Sequence, residues 1–438
     1  MLRGSLVIAI AMGVMNLTTY GFTIHAARLL GPVEYGALAA VMGLLLVLNV
    51  LSLGLQATGA RRVAASPEDR DTLQDAVMRT TYRCAVALGL LSLLAAPLVS
   101  AVLNLDSWTV AALIAVTVVP LTVMGGQAGV LQGERRWGPL AGIYLAVGLG
   151  RIAFGVIALV VEPSTLAAML GVTAGAFAPA VVGWWALRRG TVSTGSTTRD
   201  GAVSTGSTTR DGAVSTGSTA RGDRPTPAAP TTILSETVRN SHALLAFFAL
   251  SNVDVVVARS VLDGQDAGLY AGGLILTKAV LFLPQFVVVI VFPSMSSAGS
   301  ARRVNLLALG LVLAIGSATV LGTAVLSGLA VVFIGGPAYA AIEGSLWLFA
   351  ALGTLLALLQ LMVYNVVARQ RQRAVLVLWV GLAAVLAGGA VAGGVEPLVL
   401  TVLAIDAAVF AVLLVRAGLR SFGRTAGADA VSVPRRAS

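Results

Sequence analysis

The sequence predicts an all-α integral membrane protein with about twelve transmembrane helices, in two six-helix bundles related by a pseudo-two-fold axis along the membrane normal. Three observations predict this class: the composition, the length of the apolar runs, and a repeat between the two halves. Of the 438 residues, 57% are hydrophobic and only 11% are charged, whereas a soluble domain carries about 25% charged residues. This number of charged residues cannot cover a water-facing surface. Much of the surface must therefore face lipid.

Apolar runs near twenty residues recur along the chain, and about twenty residues form a helix that crosses a hydrocarbon core about 30 Å thick. Helices are expected because each one satisfies its own backbone hydrogen bonds in lipid. Transmembrane strands would be about half as long and would alternate in polarity. The predicted spans are 5–27, 36–57, 81–104, 108–131, 139–161, 165–187, 240–261, 267–292, 304–328, 344–367, 374–394 and 398–415.

The loops between these spans fall into two alternating sets by charge, and the chain's net charge of +10 lies in one of them. The arginine-rich set includes both termini, so the positive-inside rule predicts that both termini are cytoplasmic in the cell (plasma or inner) membrane. This placement of the arginines favours a membrane protein and argues against a nucleic-acid partner. The opposite set is mostly acidic and contains Glu34, Asp106, Glu162, Asp263, Asp266, Glu343 and Glu396.

A Ser/Thr/Gly-rich segment with tandem "STGST" repeats separates the sixth and seventh spans. Such a composition cannot bury enough apolar area to fold. The predicted organisation is therefore an N-terminal bundle (1–188), a disordered cytoplasmic linker (189–235), a C-terminal bundle (236–416) and a cytoplasmic tail (417–438).

The two halves resemble each other at the same relative place. "ARLLGPVEYGALAA" (27–40) follows the first span and "ARSVLDGQDAGLYAG" (258–272) follows the seventh, which aligns Arg28 with Arg259 and Gly36 with Gly268. Each half has an even number of spans, so both enter the membrane in the same orientation. Two such bundles are related by an axis along the membrane normal, and a substrate would bind in the groove between them.

These stretches also resemble a known family. "ARLLGPVEYG" is similar to the start of the polysaccharide-export (Wzx-type) flippases, and "SNVDVVVARSVLDGQDAGLYAGGLILTKAVLFLPQFVVVIVFPSMS" (251–296) is similar to the start of their second half. That family shares a superfamily with the multidrug MATE antiporters and the lipid II flippases. The resemblance implies a V-shaped pair of bundles and a polyprenyl-diphosphate-linked oligosaccharide that is moved from the inner to the outer leaflet.

Four ionisable residues fall well inside predicted spans: Arg151, Asp254, Lys278 and Asp406. A lysine at the centre of a membrane helix costs roughly 2.5–3.5 kcal/mol on insertion scales, and such residues usually face a bundle interior or a water-filled cavity. Lys278 is the only lysine in the chain. It lies about eleven residues into the span 267–292, or about 16 Å along a helix, which is near the midplane.

For the substrate that the resemblance implies, we expect Lys278 and Arg151 to face one another across the groove and hold the diphosphate, with Asp254 as a further member of the central cavity. The structural alternative is that Lys278 pairs with Asp254, and Arg151 with a carboxylate or backbone carbonyls, only to join helices. Secondary candidates are Asp406, Arg28, Arg259, Asn252 and Gln285. For Arg28 and Arg259, at helix ends, the alternative is snorkelling to the membrane surface.

The leading function is thus a lipid-linked oligosaccharide flippase whose further partners are membrane lipids and, if transport is coupled, a proton or sodium ion. The alternative is a MATE-like cation-coupled drug or metabolite antiporter, in which membrane carboxylates would line the pocket. A third interpretation, a membrane glycosyltransferase or polymerase, would need a large extracytoplasmic loop, and the predicted loops on the outer side are all short. No nucleophile motif, phosphate-cradling loop or metal-ligand cluster is found, so we expect no enzyme activity, cofactor or metal.

Overall fold

The computed structural model describes residues 2–193, 230–281, 301–368 and 372–428, and these residues form helices and short connections without any strand. Two short 3-10 helices, Pro67–Asp69 and Pro337–Ser345, lie between the longer elements. The α-helices are α1 (Leu2–Leu48), α2 (Val50–Ala65), α3 (Arg70–Val102), α4 (Trp108–Gly133), α5 (Trp137–Val161), α6 (Thr165–Ser193), α7 (Pro230–Val261), α8 (Gly264–Leu281), α9 (Ala301–Val325), α10 (Ser327–Ile334), α11 (Leu346–Ala368), α12 (Gln372–Gly389) and α13 (Val395–Ala428).

Within the described ranges, nine helical stretches are long and apolar enough to cross a membrane, and Val375–Gly389 is a shorter apolar helix. The first stretch, Leu6–Ala65, is 60 residues long. At 1.5 Å per residue it would measure about 90 Å if it were straight, enough for two crossings. The predicted all-helical membrane fold is confirmed. The second part of the predicted span 267–292 lies outside the described residues.

A break at Gly31 divides that first stretch into two crossings. Gly31 has φ 70° and ψ 177°, a conformation that glycine adopts without the steric penalty of a side chain. Pro32 follows and has no amide hydrogen to continue the helical bonding. The first crossing therefore ends at the "LLGP" turn, and the second continues through the rest of α1 into α2.

The helices form two lobes, which we call the N-lobe (α1–α6) and the C-lobe (α7–α13). Between them, α1 packs against α8 and α2 packs against α7. A two-fold axis that exchanges the first crossing with the seventh, and the second with the eighth, would convert the α1–α8 contact into the α2–α7 contact. The aligned glycines of the repeat meet on this axis, because a methyl group at Gly36 would lie 2.9 Å from the Cα atom of Gly268.

The predicted linker 189–235 is helical at both of its edges, since α6 continues to Ser193 and α7 begins at Pro230. Its middle, 194–229, lies outside the described residues, as do 282–300 and 369–371. Ile233, at the start of α7, belongs to one buried cluster with Ala186 and Leu187 of α6. The two helices that the linker joins therefore approach each other on one face of the protein.

The two faces of the helix bundle differ in charge. We call the face with Glu34, Asp106, Asp263 and Glu343 the acidic-loop face, and the opposite one the arginine face. On the arginine face, the guanidinium of Arg62 donates two hydrogen bonds of 2.8 and 2.9 Å to Glu236 of the C-lobe, and Arg61 forms an ion pair with the same carboxylate. Arg70 and Arg136 both contact Glu134 within the N-lobe.

Candidate functional site

Lys278 lies on α8, where it faces the polar turn of α7. Its ammonium group donates to the backbone carbonyl of Ser251 and to Oδ1 of Asn252 at 3.0 Å. The side chain is half-buried and forms no ion pair within 4 Å with any residue that the structure describes. The direct pair with Asp254 that the structural alternative supposed is therefore not formed. Lys278 is instead held by neutral oxygen atoms, which leave its charge uncompensated by direct contact.

Asp254 is 1% exposed and lies next to this lysine on α7. Its Oδ1 atom accepts from the backbone amide of Val255 at 2.9 Å. Its Oδ2 atom accepts from the hydroxyl group of Tyr270, on α8, at 3.3 Å. Burial of an ionised carboxylate is costly unless it is hydrogen-bonded and near an opposite charge. Lys278, within electrostatic range, supplies that charge.

Asp406, on α13, completes the group of charged residues in the C-lobe. It is fully buried, and neither of its carboxylate oxygens has a hydrogen-bond partner among the described residues. It interacts electrostatically with both Lys278 and Asp254. The C-lobe therefore contains one lysine and two carboxylates in close proximity, and one of those carboxylates can still accept a hydrogen bond or a cation.

Arg151 is the corresponding cation of the N-lobe, in the middle of α5. Its side chain is half-buried, and no described residue gives it a hydrogen bond or an ion pair. The next residue, Ile152, packs against α1 at Gly21, where a methyl group would be 3.1 Å from its Cδ1 atom. Arg151 thus lies beside the middle part of the first crossing.

Lys278 lies at a similar level on the other lobe. The hydroxyl group of Tyr20, on α1, donates to the backbone carbonyl of Ile275 at 2.9 Å, which is one turn before Lys278. Because α1 packs against both α5 and α8, it is the common neighbour of the two cations. The structure thus supports similar depths for Arg151 and Lys278. Their arrangement across the groove stays a prediction.

The secondary candidates have different outcomes. Asn252 is 3% exposed and contacts Lys278 directly, as described above. Arg259 does not snorkel: it is 7% exposed and donates to backbone carbonyls of the N-lobe. Arg28 is exposed and donates to a carbonyl of the C-lobe. Gln285 lies outside the described residues.

Sequence reasoning missed two partners in this site, the carbonyl of Ser251 and the hydroxyl of Tyr270. The polar stretch "SNVD" inside an apolar span was a usable signal for the first, since three polar residues in four are rare in a membrane helix. The second had no local signal. Tyr270 is fully buried, and a buried hydroxyl group needs an acceptor.

An apolar cavity of about 440 Å³ lies between α9, α10 and α8, the helix that also contains Lys278. Its lining includes Val280, Leu326, Leu329 and Phe333 and contains no charged side chain. The cavity is therefore suited to hydrocarbon rather than to an anion. Within the described ranges, no group of three or more histidine, cysteine, aspartate or glutamate residues could hold a metal ion.

Comparison with known proteins identifies a family for this sequence. The profile of the family described as polysaccharide biosynthesis protein matches residues 1–299. No curated protein sequence matches the chain.

Several solved structures have the same fold. An inward-facing multidrug resistance MATE family transporter of the MOP superfamily matches with a TM-score of 0.67 and 12% identity, over 98% of this chain and 99% of that one. The lipid II flippase MurJ in its inward closed conformation matches with a TM-score of 0.66 and 10% identity, over 95% and 88% of the two chains.

A MOP superfamily transporter from Pyrococcus furiosus, whose binding pocket is described as having reverse polarity, matches with a TM-score of 0.54 and 13% identity, over 95% of each chain. At these identities the likeness concerns the fold, which is the two-lobed fold of that superfamily.

Proposed function

Because this chain belongs to the polysaccharide biosynthesis protein family, we propose that it is a membrane flippase, not an enzyme, that moves polyprenyl-diphosphate-linked oligosaccharide from the inner to the outer leaflet. The observation that carries the proposal is the state of its two mid-membrane cations. Among the described residues, Lys278 makes direct contacts with neutral oxygen atoms and no direct ion pair, and Arg151 has no hydrogen-bond or ion-pair partner. Neither cation is therefore held in a direct ion pair by a described residue, so each can make a direct contact with an anion that enters between the lobes.

A diphosphate suits these two cations by charge and by geometry. It bears two or more negative charges, and the loss of their hydration is the main barrier to crossing a hydrocarbon core. A lysine presents a compact charge with three donors, and an arginine presents a planar fork that matches phosphate oxygens. One cation from each lobe would replace part of the lost hydration without fixing the two lobes to each other.

The apolar cavity beside α8 supports the lipid part of this proposal. A polyprenyl chain is wholly hydrocarbon and must stay out of water while its headgroup crosses. The cavity adjoins Val280, two residues beyond Lys278. In this proposal the polyprenyl chain lies in this cavity, and the diphosphate lies at Lys278.

The two carboxylates of the C-lobe favour a coupling cation as an additional ligand. Asp406 is fully buried and its oxygens have no described partner, which is an unfavourable state for an ionised carboxylate. A proton or a sodium ion bound at Asp406, or at Asp254, would reduce the cost of the buried negative charge. The same observation supports the second candidate function, a MATE-like cation-coupled antiporter of drugs or metabolites.

Complementation of a strain that lacks its own flippase separates the roles of Lys278. Lys278→Arg keeps the charge and should retain much of the activity, whereas Lys278→Ala should lose it with normal amounts of protein in the membrane. If Lys278 only neutralised Asp254, the double change Lys278→Ala with Asp254→Ala would restore activity. We expect no rescue, because the two side chains form no direct ion pair, and full rescue would refute diphosphate binding by Lys278.

The antiporter alternative predicts a different pair of results. Cells that express the protein would accumulate less of a cationic dye, and Asp406→Asn would abolish that effect while Lys278→Ala would not. The flippase proposal expects no dye export by the parent protein.

A further inference from the structure

Two arginines, one from each half of the repeat, reach across to the opposite lobe. Nη2 of Arg28, at the end of the first crossing, donates to the backbone carbonyl of Val332 in the C-lobe at 2.7 Å. Arg259, at the end of α7, donates to two carbonyls of the N-lobe. Its Nε atom donates to Leu103 at 3.0 Å, and its Nη2 atom donates to Asn104 at 3.1 Å.

The acceptors of these bonds are carbonyls that end a helix. Val332 lies in the last turn of α10, and the amide of Gly336 that would normally reach its carbonyl bonds to Val331 instead. Leu103 follows directly after α3 as its C-cap residue. The last four carbonyls of a helix lack partners within the helix and bear the negative end of its dipole. Each arginine thus caps a helix terminus of the other lobe.

The two caps are related by the repeat. Arg28 aligns with Arg259. The third crossing is α3, and its counterpart in the other half, the ninth crossing, consists of α9 and α10. The N-lobe cap is further specified by Asn104, whose φ of 46° is in the left-handed region that asparagine tolerates better than most residues. Its Nδ2 atom also donates back to the carbonyl of Arg259 at 3.1 Å.

Between the two caps the lobes are in close contact. The hydroxyl group of Tyr339 donates to the carbonyl of Ala27 at 3.2 Å, and Gly36 meets Gly268 on the pseudo-two-fold axis. We call these four residues the acidic-face seam, because they lie near the face where Glu34 and Asp263 are found. Ala27 is 0% exposed, so solvent does not reach the seam at this residue.

We propose that Arg28 and Arg259 form a two-point latch that keeps the groove closed at the acidic-loop face and is released when the lobes separate there. The bonds of both arginines cross the lobe boundary, so separation at this face breaks them together. Both arginines lie at helix ends near the membrane surface, where water can replace the carbonyls. The latch is therefore reversible, and it does not depend on which substrate the groove binds.

Solvent access to a cysteine in the seam tests the latch. The parent for the test is the full chain with Ala27→Cys and with the single native cysteine removed by Cys84→Ala. A membrane-impermeant maleimide is applied to sealed vesicles of each orientation, and the labelling rate at residue 27 is measured. Arg28→Gln and Arg259→Gln should each raise that rate about tenfold, the effect of losing charge-assisted bonds from the closed state. The increase should occur only from the acidic-loop side.

Arg136→Gln is the matched control, because Nη2 of Arg136 also donates to a helix carbonyl, that of Ala186 at 2.6 Å, but within one lobe. Labelling in this control should stay at the parent rate. If the arginine variants do not accumulate, Asn104→Gly decides: it keeps the left-handed backbone and the carbonyl acceptor, removes the side-chain bond to Arg259, and should raise labelling about threefold.

Parent-rate labelling in folded Arg28→Gln and Arg259→Gln would overturn the latch. If those two variants do not accumulate, parent-rate labelling in Asn104→Gly would overturn the latch. An equal rise in Arg136→Gln would also overturn it, since that result would show general loosening. None of these three outcomes bears on diphosphate binding at Lys278, so a failure of the latch is distinct from a failure of the proposed function.

Discussion

The contact between Gly36 and Gly268 gives a prediction whose size follows from the structure. A methyl group at Gly36 would lie 2.9 Å from the Cα atom and 3.0 Å from the backbone nitrogen of Gly268. Non-bonded carbon atoms are most favourable at about 3.5–4.0 Å. The lobes would therefore have to move apart by about 0.5–1 Å, because both atoms belong to the backbone of a packed helix and cannot rotate away.

Overpacking of this kind typically costs about 1–3 kcal/mol. We expect Gly36→Ala to lower the free energy of unfolding of the closed protein by that amount, or to shift its lobes toward the separated arrangement by an equivalent factor. Each 1.4 kcal/mol corresponds to tenfold, so the shift would be about five- to hundredfold. Two assays check this: thermal unfolding in detergent, and the labelling rate of Ala27→Cys from the acidic-loop side.

The matched control for this prediction is Gly13→Ala on the same helix. A methyl group at Gly13 meets no atom within 4 Å, and alanine favours a helix over glycine by about 1 kcal/mol. The control should be as stable as the parent or more stable. If Gly36→Ala matched Gly13→Ala in both melting temperature and labelling rate, the lobes would not touch at these glycines, and the closed seam would be wrong.

Two further predictions concern the arginine face. A reporter enzyme that is active only outside the cytoplasm should be inactive when fused after Arg221, because the positive-inside rule assigns this face to the cytoplasm, and activity there would reverse the topology. Glu236→Gln should lower stability in detergent by about 1–2 kcal/mol, because the hydrogen bonds from the largely buried Arg62 become neutral. Glu68→Gln, at an exposed carboxylate, should change nothing, and an equal effect of the two changes would show that the Arg62 pair does not join the lobes.

The membrane fold could be predicted from the sequence because it depends on local quantities. Run length and loop charge are read from consecutive residues, and they predicted the span order and the two bundles. The alignment of Arg28 with Arg259 and of Gly36 with Gly268 also came from the sequence. It placed these residues at equivalent sites, and the structure shows that the two glycines are in close contact.

The partners of those residues could not be predicted in the same way. Arg259 bonds to Leu103, more than 150 positions earlier in the chain, and an apolar leucine gives no sign that its carbonyl is an acceptor. Lys278 similarly bonds to the backbone of Ser251 rather than to the nearby carboxylate of Asp254. Contacts with backbone oxygens depend on how helices pack, and any residue type can supply them. Side-chain patterns therefore identified the cations but not what holds them.

We propose that Lys278 and Arg151 bind the diphosphate of a lipid-linked substrate as it crosses the bilayer, and translocation by the purified protein tests this most directly. Proteoliposomes would contain a polyprenyl-diphosphate lipid with a fluorescent sugar, and a quencher that cannot cross the membrane would report its movement between leaflets. The parent protein should speed that movement, Lys278→Arg should retain much of the rate, and Lys278→Ala and Arg151→Gln should fall to the rate of empty liposomes. Equal rates for the parent and empty liposomes, or for the parent and Lys278→Ala, would contradict the claim.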